Sequence, residues 1–354
     1  GGALFPVAAD RSGVAARPRT QRATSCYIMP LVPSTYRAPA FLRGGHLQTI
    51  HPALCRRVPF ITTRRERLEL PDGDFLDLDW VGQGSDRLVI LSHGLEASSK
   101  APYIQGMAGA LHRRGWDVLA WNCRGCSGEP NRLPRAYHSG ASEDLDEVVR
   151  HALAVHPASR IDLVGFSLGG NLTLKYLGER ELPDRIHRAV AFSVPCDLAC
   201  SSARLGETLN RPYMERFLRS LRAKIREKHG RFPGRIDLAG LRGVRDFRGF
   251  DDRFTAPLHG FLDAADYWAR SSSRPFLPRI TIPSLLVNAA NDPFLGPGCY
   301  PREEAIASEL FHLEIPDDGG HCGFSSGGRE TWAEQRAAEF LEGGNGPLPN
   351  PHIL

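Results

Sequence analysis

The stretch Ile161-Asp162-Leu163-Val164-Gly165-Phe166-Ser167-Leu168-Gly169-Gly170-Asn171 constrains the chain more than any other. Ile161, Leu163 and Val164 form a short apolar run, as a strand buried on both faces does. Gly165, Ser167 and Gly169 then spell G-x-S-x-G, and Leu172, Leu174, Tyr176 and Leu177 open a helical pattern behind them. A serine at the tip of so sharp a strand-to-helix turn takes strained backbone angles. Side chains two residues to either side would collide, so glycine stands at both places. The turn aims N–H groups of the new helix at the space above Ser167, with the Leu168 N–H as the natural first donor to an oxyanion. G-x-S-x-G alone recurs by chance. The strand before it and the helix after it make it a nucleophile elbow.

The neighbouring pattern supplies a sheet for that elbow. Residues 88–91 are a fully apolar strand running into Ser92-His93-Gly94-Leu95-Glu96. Residues 103–114 are amphipathic, with Ile104, Met107, Ala108 and Leu111 on one face. Residues 116–121 read as a strand and 143–155 as a helix, with Leu145, Val148, Val149, Ala152 and Leu153 in helical register and Ser142 as the expected cap. Further strands are expected at 189–194, 283–290 and 311–315, and a last helix at about 329–341. Upstream, 67–70 and 75–81 flank Pro71-Asp72-Gly73-Asp74 as a hairpin. Alternating strands and helices predict a mostly parallel sheet with helices on both faces, its active residues at the C-terminal ends of the strands. The rhythm breaks between 195 and 278, where helices over 213–229 and 256–269 appear without a convincing strand. A helical cap insertion, about 195–280, is expected there. The basic run Arg216, Arg219, Arg222, Lys224, Arg226 and Lys228 is read as a solvated helix face.

With 354 residues, 42% of them hydrophobic, the chain can bury one large core. The domain is expected to span 36–342. Residues 1–35, rich in Arg, Ala, Pro and Thr without periodicity, read as a disordered or non-native N-terminal tail, and the Gly/Pro-rich 343–354 as a flexible C-terminal tail. A net charge of +4 argues against nucleic acid as a partner. The eight cysteines form no disulfide framework, and Cys123 and Cys126 make one C-x-x-C that no second pair answers. Reduced cysteines favour a cytoplasmic protein. No apolar run reaches about 18 residues, so stable membrane insertion is not expected. No metal or dinucleotide motif calls for a cofactor.

An elbow serine needs a base and an acid that orients it, and in this architecture both follow in the order Ser, Asp or Glu, His. Asn291-Asp292-Pro293-Phe294 follows the 283–290 strand, and His321 sits in Asp317-Asp318-Gly319-Gly320-His321-Cys322 just after the last strand. The expected roles are Ser167 as nucleophile, His321 as base and Asp292 as orienting acid. Asp197 is the rival acid. His46, His93 and His138 are rival bases but lie upstream of the serine. The Leu95 N–H, after His93-Gly94, is the expected second oxyanion donor.

These pieces resemble the YheT-like hydrolases of the α/β-hydrolase superfamily (AB hydrolase family four). The resemblance rests on Gly45-His46-Leu47-Gln48-Thr49, Leu70-Pro71-Asp72-Gly73-Asp74, His93-Gly94-Leu95-Glu96, Arg124-Gly125-Cys126-Ser127-Gly128-Glu129-Pro130-Asn131, Tyr137-His138-Ser139-Gly140, the elbow, Asn291-Asp292-Pro293-Phe294 and Gly319-Gly320-His321, in family order. Ala97 departs from the glycine expected after Glu96. The resemblance implies an α/β-hydrolase fold and a serine carboxylesterase acting on small-molecule acyl esters; the apolar residues of the cap insertion, Phe217, Leu221, Leu258 and Trp268 among them, add the expectation of an acyl pocket for short- to medium-chain or acylglycerol lipase-like substrates. Ser167, Asp292 and His321 carry over as its triad. An acyltransferase using the same site is the alternative, since some related enzymes pass acyl groups to alcohols. A non-catalytic binding module is disfavoured because no triad member is missing.

Overall fold

The computed structural model describes residues 1, 30–82 and 84–344. Nine strands form one sheet: β1 Leu31–Val32, β2 Arg64–Glu69, β3 Phe75–Val81, β4 Arg87–Ser92, β5 Asp117–Asn122, β6 Arg160–Phe166, β7 Ile186–Phe192, β8 Ser284–Val287 and β9 Phe311–Glu314. Their order is β1-β9-β8-β7-β6-β4-β5-β3-β2. Among the described residues only the β2–β3 and β3–β5 pairings are antiparallel. The helices are α1 Gly45–Cys55, α2 Pro102–His112, α3 Ser142–Val155, α4 Leu168–Glu179, α5 Leu198–Leu205, α6 Arg211–Arg231, α7 Phe247–Phe250, α8 Ala256–His259, α9 Ala264–Ser271, α10 Arg302–Ile306 and α11 Trp332–Leu341.

Alternate residues of the central strands enter two cores. Leu88, Ile90, Ile161 and Leu163 meet Leu145, Val148 and Leu172 of α3 and α4 on one face. Val89, Leu91, Val164 and Phe166 meet Met107, Leu111, Ala337 and Phe340 of α2 and α11 on the other. A parallel sheet covered on both faces needs apolar residues at both phases of the strand, hence the continuous runs in the sequence. The hairpin expected around residues 71–74 is β2–β3. Its buried Asp77 and Asp79 are held by Arg67 and Arg65 of β2, at 2.9 and 2.7 Å.

Three local expectations change. Leu31–Val32 pairs with β9, and Val32 is buried, so the sheet takes in residues expected as part of the tail. Backbone bonds to an open sheet edge require no side-chain period, so this strand has no sequence signature. Ser142 lies inside α3 and bonds Glu179 rather than capping the helix, whose N-cap is Ala141. The helix expected over 256–269 is broken by Gly260 in the left-handed region at φ 74°, and Asp263 starts a new helix by accepting from Asp266 N. Most of the segments expected as tails, residues 2–29 and 345–354, lie outside the described residues.

Candidate active site

Ser167 lies between the last residue of β6 and the first of α4, at φ 52° and ψ −119°. Its N–H donates to Phe192 O at 2.9 Å, tying the turn to β7. A Cβ on Gly165 would lie 2.6 Å from Gly169 O, and one on Gly169 2.3 Å from Ser92 O. Both glycines are therefore required by close backbone approach, as the G-x-S-x-G spacing implied.

The two other expected residues arrive from the C-terminal ends of β8 and β9. His321 Nε2 is 2.9 Å from Ser167 Oγ. Its Nδ1 is 2.9 Å from Asp292 Oδ2 and 3.2 Å from Oδ1. Asp292 is buried, and its Oδ1 also accepts from Phe294 N at 2.9 Å. With Nδ1–H donated to the carboxylate, Nε2 is left as an acceptor facing the serine hydroxyl. Burial alone would lower the imidazole pKa. The adjoining Asp292 carboxylate outweighs burial and holds the pKa above the ordinary histidine value.

The rivals are held by other partners. Asp197 caps α5 by accepting from Cys200 N at 3.0 Å. His93 is fully buried; its Nδ1 is 2.8 Å from Gly94 O and its Nε2 accepts from Cys123 N at 3.1 Å. Burial drives its pKa down to about 4, so it stays neutral and fixes the loop. His46 pairs with Tyr213, and His138 packs against His259 and Phe261.

Leu95 and Leu168, expected as oxyanion donors, both border the cavity next to Ser167. The residue after Leu95, Glu96, sits at φ 54° and is heavily engaged. Its carboxylate accepts from Lys224 Nζ at 2.8 Å, from Tyr137 OH at 2.6 Å and from Ser220 Oγ. Its N–H donates to Tyr137 OH at 2.9 Å. Burial alone would raise the Glu96 pKa; Lys224 and the hydroxyls hold it below the ordinary value. A cap helix is thereby clamped to the loop that carries Leu95.

Sequence reading also left Gln48 and Thr49 without a role. Gln48 Oε1 accepts from Gly319 N at 2.7 Å and Asn291 Nδ2 at 2.9 Å, and Thr49 Oγ1 accepts from His321 N at 2.9 Å. Helix α1 thus pins both the loop that carries Asp292 and the loop that carries His321. The only signal in the sequence was the G-H-L-Q-T resemblance, which names no contact.

Two spaces meet at Ser167 and His321. One is a cavity of about 140 Å³ beneath the cap, walled by Phe217, Leu221, Phe250, Phe254, Leu258 and Trp268 among others. The other is a wider groove of about 750 Å³, bordered by Ile50, Leu54, Lys100, Tyr213 and Arg216. The apolar residues of the cap divide between roles. Phe217, Leu221, Leu258 and Trp268 wall the cavity, while Leu218 packs in the cap's own core and Leu262 is exposed. Asp251 also borders the cavity. Burial pushes its pKa up to about 7, and it accepts from Thr255 Oγ1 and Trp268 Nε1 at 2.6 and 2.8 Å.

Residues 87–327 match the family described as alpha/beta hydrolase fold. The chain belongs to the α/β-hydrolase family, as a hydrolase of the esterase or lipase type. Within that family it is YheT-like. It is 38% identical to the candidate esterase YheT of Escherichia coli over 84% of this chain and 89% of that protein. It is 28% identical to phospholipase ABHD3 of Homo sapiens over 86% of this chain and 76% of that one. The solved structure of Pyrococcus furiosus esterase Pf2001 superposes with a TM-score of 0.55 at 18% identity, covering 88% of this chain and 97% of that one, a likeness of fold alone. Among the described residues no helix is long and apolar enough to cross a membrane, and the described cysteines are all free.

Proposed function

We propose that the protein hydrolyses short- to medium-chain carboxylic esters through an acyl-enzyme on Ser167. The observation that carries this reading is the continuous line Ser167 Oγ–His321 Nε2–His321 Nδ1–Asp292, at 2.9 and 2.9 Å. Ser167 Oγ attacks the ester carbonyl as His321 Nε2 takes its proton. The carbonyl oxygen becomes an oxyanion beside the Leu95 and Leu168 N–H groups. Collapse expels the alcohol, which receives the proton from His321, and leaves an acyl ester on Ser167. Water, deprotonated by the same imidazole, then releases the carboxylic acid and restores the serine. Asp292 keeps the imidazole in the required tautomer and stabilises the imidazolium formed in each half-reaction. The apolar cavity takes the acyl chain, and the groove takes the alcohol.

A fluorophosphonate probe tests the assignment, because it phosphonylates only an activated serine. Wild-type protein should label and hydrolyse p-nitrophenyl butyrate. Ser167→Ala should do neither while keeping its circular dichroism spectrum, with turnover down by about 10⁴-fold or more. Labelling of folded Ser167→Ala, or no labelling of the wild type, would refute it.

A further inference from the structure

The outer side of α1 is uncovered by the described residues. Gln48 and Pro52 of this helix are buried, whereas Leu47, Ile50 and Leu54, spaced i, i+3, i+7, are 43%, 42% and 70% exposed. Phe41, 65% exposed, lies against His51 with ring centroids 5.9 Å apart, extending the same apolar surface. Ile50 and Leu54 also border the groove that ends at Ser167. Apolar side chains scattered singly over a surface need no explanation, but a contiguous patch at the mouth of a site marks a partner or a membrane.

The charges on the segment that carries the patch have one sign. Residues 36–63 contain Arg37, Arg43, Arg56 and Arg57 and no Asp or Glu. Arg56 is engaged by Glu334, while Arg43 and Arg57 are exposed. Helix α6 faces α1 across the groove, held to it by His46 Nδ1 and Tyr213 OH at 3.1 Å. It brings exposed Arg216 and Arg219, and Lys100 adds a further exposed cation. The acid on this stretch of α6, Glu215, pairs with Arg222.

We propose that this rim docks on an anionic lipid bilayer, with α1 lying in the interface. Phe41, Leu47, Ile50 and Leu54 would enter the acyl region, and Arg43, Arg57, Arg216 and Arg219 would meet the headgroup phosphates. The charge selects this occupant. A second copy of the chain packed patch to patch would set the same arginines against one another, because a two-fold interface is self-complementary. A bilayer satisfies the apolar and cationic parts together. The benefit of docking rests on the ester-hydrolase reading, since the groove then opens Ser167 towards the lipid; docking itself needs no turnover.

The test is co-sedimentation of the full chain with vesicles of phosphatidylglycerol and phosphatidylcholine, against pure phosphatidylcholine. Binding to the anionic vesicles should be at least about tenfold tighter and should weaken in about 0.5 M salt. Phe41→Ser/Leu47→Ser, at positions that border neither the cavity nor the groove, should lose about tenfold or more of that binding. Arg43→Glu/Arg57→Glu should do the same, as a second variant should the first unfold. Hydrolysis of the soluble p-nitrophenyl butyrate should stay within about twofold of wild type. Equal binding to both vesicle types, or variants that bind as wild type does, would overturn the proposal. So would a wild-type dimer that the Phe41/Leu47 variant turns into a monomer, since the patch would then belong to a second copy. Failure of the wild type to hydrolyse the ester would sink the ester-hydrolase reading and leave the vesicle result standing.

Discussion

Replacing Asp292 by Asn removes one charge and little volume. The carboxylate lies 2.9 Å from His321 Nδ1 and is buried, so no other charge screens its loss. Two unit charges about 4 Å apart interact by about 4 kcal/mol at an effective dielectric constant near 20. That is about a thousandfold in rate if the imidazolium forms only in the transition state. An asparagine can also turn its NH₂ towards Nδ1 and favour the wrong tautomer, raising the expected loss in kcat to about 10³–10⁴-fold. The pH profile gives a second reading. The base works in its neutral form, so kcat/KM rises with pH through the His321 pKa. Asp292 raises that pKa, so the acid limb of the wild type should lie above about pH 6.5. In Asp292→Asn it should move to lower pH even as the rate falls. Asp197→Asn serves as control, because asparagine also caps a helix, and should cost less than about threefold. Stopped-time assays with p-nitrophenyl butyrate from pH 5 to 10 measure both quantities. A loss below about tenfold, an unmoved acid limb, or a larger loss in the Asp197 variant would refute the reasoning.

Two further outcomes follow from the same geometry. Glu96→Gln leaves Lys224 with its charge unmatched beneath the cap and loosens the loop bearing the Leu95 N–H. We expect kcat to fall about 10–10²-fold, less than loss of an oxyanion donor outright, with KM moving less than kcat; kcat within twofold of wild type would show that the clamp does not position the donor. Among p-nitrophenyl esters, kcat/KM should rise from acetyl to about hexanoyl or octanoyl by up to about fourfold per methylene, because each buried methylene contributes about 0.8 kcal/mol, and should fall for longer chains. A flat profile or a maximum at acetate would mean that the cavity walled by Phe217, Leu258 and Trp268 does not hold the acyl chain.

The parts of this molecule legible in the sequence are those that obey a local rule. The elbow could be read because a strained serine between close-packed backbones forces glycine two residues to either side, and the parallel sheet because strands buried on both faces lose their alternation. The order of Ser167, Asp292 and His321 along the chain then placed all three residues at strand ends, where the geometry brings them into one line. Helix α6 was visible in its pattern, although its Lys224 is a half-buried partner of Glu96 and its Lys228 is buried, so neither is part of a solvated face. The break at Gly260 was missed because the apolar spacing on either side continues through it.

What the tertiary structure alone decided is the support and surroundings of the site. Thr49 reaches the backbone of His321 across 272 positions, and Gln48 reaches Gly319 across 271. Neither contact imposes a period or a residue spacing on the chain. The edge strand Leu31–Val32 is too short to show a period, and the assignment of Leu221 to the cavity and Leu218 to the cap's core depends on how the cap helices sit over the sheet. Local sequence records the backbone angles and burial that each residue must satisfy. Which distant groups satisfy one another is settled only when the layers pack, because those bonds join elements whose separation along the chain carries no information about their separation in space.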